Sequence, residues 1–123
     1  MTENELAKII VDCAYKTHRT LGPGLLESVY EAVMRFELSK RGLNVDAQRG
    51  IPMVYEGMRL EMGFRADLIV NGLVIVEIKS IEALAPVHQM QLLTYLRLAD
   101  KRLGLLINFN VVVLQDGIRR KIL

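Results

Sequence analysis

The sequence predicts a single α+β domain spanning residues 1–123, a sheet built about a central antiparallel hairpin with helices before and after it in the chain. Three observations predict it. Two apolar, β-prone runs, Phe64 to Val70 and Leu73 to Ile78, meet at Asn71-Gly72, the strongest short-range hairpin signal. Apolar residues recur at helical spacing from Leu6 to Phe36 and again after Pro86. The run Arg102 to Phe109, after the last of these helices, reads as a buried strand. The chain suffices for one core but not for two.

Thr2 followed by Glu5 makes a capping box, and Leu6, Ile9, Ile10, Cys13, Ala14 and Thr17 give a first helix from about residue 3 to 19. Leu21-Gly22-Pro23-Gly24 ends it in a tight interhelical turn. A second helix is expected from about Leu25 to Arg41, with Leu25, Val29, Ala32, Val33 and Phe36 on the apolar stripe and Gly42 as its stop. Glu27, Tyr30 and Glu31 lie on another face of it. From Val45 to Leu60 the pattern is extended, with Pro52 favouring a sheet edge and Glu56-Gly57 a turn. Pro86 opens a third helix to about Ala99, where Val87, Met90, Leu93 and Leu96 can pack on the sheet while His88, Gln91 and Tyr95 face elsewhere. Val111 to Leu114 and Gly117 to Leu123 read as a terminal strand or a hairpin about Asp116-Gly117.

The most informative residues are charged ones set into the apolar runs: Asp67, Glu77 and Lys79. Ionised groups in strands buried on both faces are costly unless paired or bound to metal. Two carboxylates and a lysine converging at strand ends point to a divalent-metal hydrolytic site. The hairpin register tests that idea. A two-residue loop at Asn71-Gly72 would place Val70 opposite Leu73 and put Asp67 on the other side of the sheet from Glu77 and Lys79. A three-residue loop, with Val70 and Asn71 in a type I turn and Gly72 left-handed, pairs Ile69 with Leu73 and Asp67 with Ile75, so that all three charges share one face. The second register is expected; a bend at Asp67 itself is the alternative.

Composition narrows the function classes. Sixteen Lys+Arg against 14 Asp+Glu give a net charge of only +2, so any nucleic-acid contact is local rather than a broad basic footprint. The single Cys13 lies on the first helix's apolar stripe, which excludes an internal disulfide or a cysteine zinc cluster. No stretch is long and apolar enough to cross a membrane and no export signal opens the chain, so a soluble, cytoplasmic protein without a membrane partner is expected.

Beyond single residues, Gly24-Leu-Leu-Glu27-Ser-Val-Tyr30 forms a G-x-x-E-x-x-Y signature. Asp67 is followed after nine residues by Glu77-Ile78-Lys79, and Gln91 and Tyr95 stand one helical turn apart within Pro86 to Leu96. In that order these motifs resemble the GxxExxY protein family of the PD-(D/E)XK nuclease superfamily, from about residue 6 to 110. Ala66 stands where the superfamily usually has proline. The resemblance implies a restriction-endonuclease-like core with a mixed sheet, and a metal-dependent nuclease hydrolysing phosphodiester bonds, of DNA in preference to RNA. It implies Mg²⁺ or Mn²⁺ as cofactor, held by Asp67, Glu77 and the backbone carbonyl of Ile78; hard oxygen ligands suit both ions. Lys79 would orient the attacking water, and Glu27 would complete the metal shell or hold one of its waters. Gln91, Tyr95 and Tyr30 would support the site or the substrate. Homodimerisation is compatible with it, since the superfamily often cuts duplexes with paired sites.

Plainer alternatives stand beside each role. Asp67 with Arg65 or Lys79 would make an ordinary ion pair, Glu27 would favour its helix N-terminus, Tyr30 and Tyr95 would be core aromatics, and Gln91 a surface residue. His88, one turn before Gln91, is placed to touch substrate but nothing requires it to be a ligand, and His18 has no second His or Cys at metal spacing. The rival function is a non-catalytic nucleic-acid- or protein-binding module that keeps the nuclease fold.

Overall fold

The hydroxyl oxygen of Thr2 accepts the Glu5 N–H at 3.2 Å and starts helix α1, Glu3–Leu21, in the computed structural model, which describes residues 1–123. Its buried face, Leu6, Ala7, Ile10, Cys13, Ala14 and Thr17, is close to the predicted stripe. No helix is long and apolar enough to cross a membrane.

Helix α2, Glu27–Lys40, corrects the expectation twice. It starts two residues late, and it buries Tyr30, Met34 and Leu38 while Val29, Ala32 and Phe36 stay exposed. The reason is tertiary. The Tyr30 ring stacks on Phe109 with centroids 4.6 Å apart, its hydroxyl donates to the Gly22 carbonyl at 2.6 Å, and it accepts from the Leu25 N–H at 3.1 Å. A helix with apolar residues on more than one stripe is turned by its neighbours, not by its own period.

Five strands follow: β1 (Val45–Tyr55), β2 (Met58–Val70), β3 (Val74–Lys79), β4 (Leu103–Asn108) and β5 (Ile118–Ile122), in the spatial order β1-β2-β3-β4-β5. All pairs are antiparallel except β3 with β4, which helix α3 (Pro86–Ala99) joins by a crossover. The sheet is therefore mixed, with the expected antiparallel hairpin β2-β3 inside it, and the architecture is restriction-endonuclease-like. Pro52 lies on the edge strand, where its missing N–H is harmless.

Apolar cores cover both sheet faces. Leu68, Val70, Val76, Ile78, Leu105 and Ile107 pack against α1 and α2. On the other face Phe64, Ala66, Ile69, Ile75 and Leu106 pack against α3. There too the buried stripe is corrected: Leu92 and Leu96 are buried, whereas Val87 and Met90 are exposed. Gly104 explains the rotation, because Leu92 seats so closely over it that a Cβ there would lie 2.8 Å from Leu92 Cδ1.

The central turn also differs from the predicted one. Gly72 is left-handed as expected (φ 66°), but so is Asn71 (φ 51°), and the Leu73 N–H donates to the Val70 carbonyl at 2.9 Å. Positive φ at both central positions is what Asn-Gly favours. Leu73 is then the extra residue, and Val70 pairs with Val74, so the expected partners Ile69 with Leu73 and Asp67 with Ile75 are not formed. At the other end, Val111 to Val113 form no strand; a 3₁₀ turn, Leu114–Gly117, leads directly into β5. Gly117 is required there, since a Cβ would come 2.2 Å from the Asn108 carbonyl oxygen.

Candidate active site

The β2-β3 ladder runs from Val70 with Val74 to Leu68 with Val76 and stops. At the next step the strands are joined by side chains instead. Glu77 Oε2 accepts the Asp67 N–H at 3.0 Å, and Asp67 Oδ2 accepts the Ile78 N–H at 2.8 Å. The cause is a change of face in both neighbouring strands. Leu68 and Ala66, two apart, pack on opposite sides of the sheet, as do Ala47 and Ile51 on β1, and between the latter Gln48 has φ 52°. The alternative bend at Asp67 is thus the one found, and the single shared face is corrected: Glu77 and Lys79 alternate with Ile78 onto the α3 side, while the Asp67 carboxylate lies in the seam between the strands. Because N–H and C=O of one strand residue point the same way, the Ile78 carbonyl also faces this seam.

Glu77 is only 7% exposed. Burial, then the charge of Asp67 beside it, push its carboxyl up to about 9, against the lowering pull of Lys79. The ion pairs of the chain are Lys16 and Lys40 with Glu37, Arg49 with Asp46, and Arg59 with Glu61. Neither Asp67 nor Glu77 has a cationic partner, so an ordinary ion pair with Arg65 or Lys79 is not what the sheet end makes.

A pH dependence follows. The folded protein keeps a proton on Glu77 that the unfolded chain releases near the ordinary value of 4.5. Its stabilising share is therefore complete below that value and is lost as pH rises towards about 9. Metal-free protein should lose stability between these limits with a slope of up to about 1.4 kcal/mol per pH unit. Urea titrations across this range check it, and a flat profile would show that neither burial nor Asp67 displaces the Glu77 carboxyl.

On the α2 side Glu27, Ser28, Glu31, Gln48, Asp67 and Ile78 line a pocket of about 190 Å³. Gln48 Nε2 donates to Glu31 Oε1 at 2.5 Å and to Asp67 Oδ1 at 3.4 Å. Burial raises the Glu31 carboxyl, the Gln48 hydrogen bond opposes this, and the charges of Asp67 and Glu27 add to the rise. The start of α2 is held to the end of β3 by Ser80, whose hydroxyl donates to the Leu25 carbonyl at 2.6 Å.

A family model described as the PD-(D/E)XK nuclease superfamily matches residues 4–121, nearly the whole chain. The chain belongs to the PD-(D/E)XK nuclease superfamily. No curated protein and no solved structure matches it significantly.

Nucleases of the PD-(D/E)XK superfamily generally use divalent metal ions and act on nucleic acid. The seam fits such an ion in kind: two carboxylates without a cation between them, a carbonyl aimed the same way, and only hard oxygen donors. Three or more acidic, imidazole or thiol groups do not converge closely enough to hold an ion together. Glu27 is exposed and lines the same pocket as Asp67.

Among the other residues singled out, Tyr95 is beside the PD-(D/E)XK centre: its ring stacks on Phe64 at 4.0 Å, and burial, then the charges of Glu77 and Asp67, raise its hydroxyl. Gln91 is exposed one turn earlier on α3. Tyr30 is fully buried and offers no surface to a substrate; its hydroxyl fixes the turn before α2. His88 caps α3, its Nδ1 accepting the Ala85 N–H at 2.8 Å. His18 Nε2 bonds the Val111 carbonyl at 2.8 Å. The sequence reading passed over Gln48 and gave Glu31 no role. The spacing of Glu31, one turn beyond Glu27, was a usable signal; Gln48 carried none.

Proposed function

We propose that the protein is a metal-dependent nuclease hydrolysing phosphodiester bonds, of DNA in preference to RNA, and a GxxExxY member of its superfamily. One observation carries this reading: a carboxylate pair where β3 parts from β2, Glu77 buried and Asp67 half-buried, with no cation of its own, and a lysine two residues beyond on the face of Glu77. Asp67, Glu77 and the Ile78 carbonyl would hold Mg²⁺ or Mn²⁺. Mg²⁺ is commonly bound by one or two carboxylates with water and substrate phosphate completing its shell. A bound divalent ion supplies charge neutralisation at phosphorus, a nucleophile at neutral pH and help for the leaving oxygen.

The chain's own groups supply the rest. Lys79 Nζ donates to the attacking water or to a phosphate oxygen, placing positive charge where the transition state gathers negative charge. The Asp67 N–H and Ile78 N–H fix one oxygen of each carboxylate, so both donors are oriented before substrate arrives. Tyr95, with Gln91 near its hydroxyl, lines the α3 side. Exposed Glu27 meets solvent and substrate from the α2 side.

Calorimetry with Mg²⁺ and Mn²⁺ on wild type and on the double variant Asp67→Ala, Glu77→Ala tests the reading, with plasmid and single-stranded DNA cleavage on the same preparations. Metal binding and cleavage are expected in wild type and in neither case in the variant. A wild type that binds no metal even with DNA present would remove the nuclease reading and leave the non-catalytic module.

A further inference from the structure

Four non-glycine residues have positive φ: Gln48, Glu56, Asn71 and Asp100. Three have local reasons. Glu56 and Asn71 are in the tight turns of hairpins and Asp100 ends α3. Gln48 lies inside a strand, between the bridged pairs Ala47 with Leu68 and Arg49 with Ala66. A left-handed conformation costs energy for any residue with a Cβ, more so away from a turn. The in-register partner it fails to pair with is Asp67.

The side chain shows what that strained backbone accomplishes. Its one amide nitrogen has two N–H groups, and these reach two carboxylates, Glu31 on α2 and Asp67 in the seam. Both neighbours are acceptors when ionised, so the nitrogen and not the oxygen must face them. With Oδ2 held by the Ile78 N–H and Oδ1 by Gln48, the Asp67 carboxylate is fixed at both oxygens.

We propose that Gln48 is a positioning residue, whose carboxamide holds Asp67 in the seam and ties it to the wall formed by α2, so that the acidic centre is set for a divalent cation beforehand. This rests on the nuclease reading above. Gln48 touches neither metal nor substrate; it acts through Asp67, and partners of that kind typically account for 10- to 100-fold in metal affinity, roughly.

Gln48→Gly in the full chain separates this role from a structural one, because glycine adopts the left-handed backbone freely and only the carboxamide is lost. Three measurements are needed: melting temperature, Mn²⁺ affinity by calorimetry, and hydrogen exchange at the Ile78 amide without metal. The melting temperature should not fall, Mn²⁺ should bind about 10- to 100-fold more weakly, and the Ile78 amide should exchange on the order of ten-fold faster as its acceptor loosens. Affinity close to wild type together with unchanged exchange at Ile78 would overturn the proposal while the nuclease reading stood. A wild type that binds no Mn²⁺ would remove the nuclease reading, and the Ile78 amide would then judge Gln48 by itself, unchanged exchange overturning it.

Discussion

Glu77→Gln is expected to abolish cleavage while making the metal-free protein more stable above neutral pH. The opposite signs come from one cause. Glutamine matches the shape of the buried side chain and its oxygen can still accept the Asp67 N–H, so packing and the inter-strand bond survive. What disappears is an acid that ionises freely in the unfolded chain but that burial and Asp67 hold protonated in the folded one, so unfolding no longer gains from its ionisation. At pH 8 the gain should be on the order of 2 kcal/mol, well inside what the upward displacement of the carboxyl allows. With a single carboxylate left, affinity for a divalent ion collapses and cleavage should fall by at least about 10³-fold. Destabilised functional sites commonly trade stability for activity in this way. Parallel urea titrations and cleavage assays decide it, and a variant that is less stable than wild type at pH 8, or that cleaves at a comparable rate, would refute the account.

Lys79→Met separates positioning of charge from metal binding. Lys79 is half-buried, on the same side of the sheet as Glu77, and makes no ion pair with any carboxylate. Its ammonium is therefore free to serve water or phosphate, and methionine keeps most of its stem packed. Turnover is expected to fall by about 10²- to 10⁴-fold with Mn²⁺ affinity nearly unchanged, read by single-turnover cleavage at saturating metal and by calorimetry. If affinity were lost in proportion to turnover, Lys79 would act only by setting up the carboxylates.

Much of this centre was legible because apolar strands advertise the charges they contain. Asp67, Glu77 and Lys79 stood out against Leu68 to Val70 and Val74 to Ile78, and Asn71-Gly72 joined the two runs. The turn was located, but its register was not, because a three-residue loop can be placed with its extra residue at either end and strand periodicity is the same for both. For α2 the error was of another kind: Val29, Ala32 and Phe36 form as good a stripe as Tyr30, Met34 and Leu38, and only Phe109, far along the chain, selects between them. Likewise Gly104 on β4 sets the rotation of α3 through Leu92. Gln48 was beyond reach for a stricter reason. Nothing in the residue type announces a left-handed backbone inside a strand.

Asp67 lies neither above nor below the sheet, and that governs how anything can approach it. Gln48, Glu31 and Glu27 flank it from one side, Glu77, Lys79 and Tyr95 from the other. The last residues of β3 and the stretch of β2 at Asp67 therefore part like the tines of a fork. The width of the fork is set where the last bridge, Leu68 with Val76, holds the tines together, so residues that lengthen the zipper by a single rung would shut the passage from both directions at once.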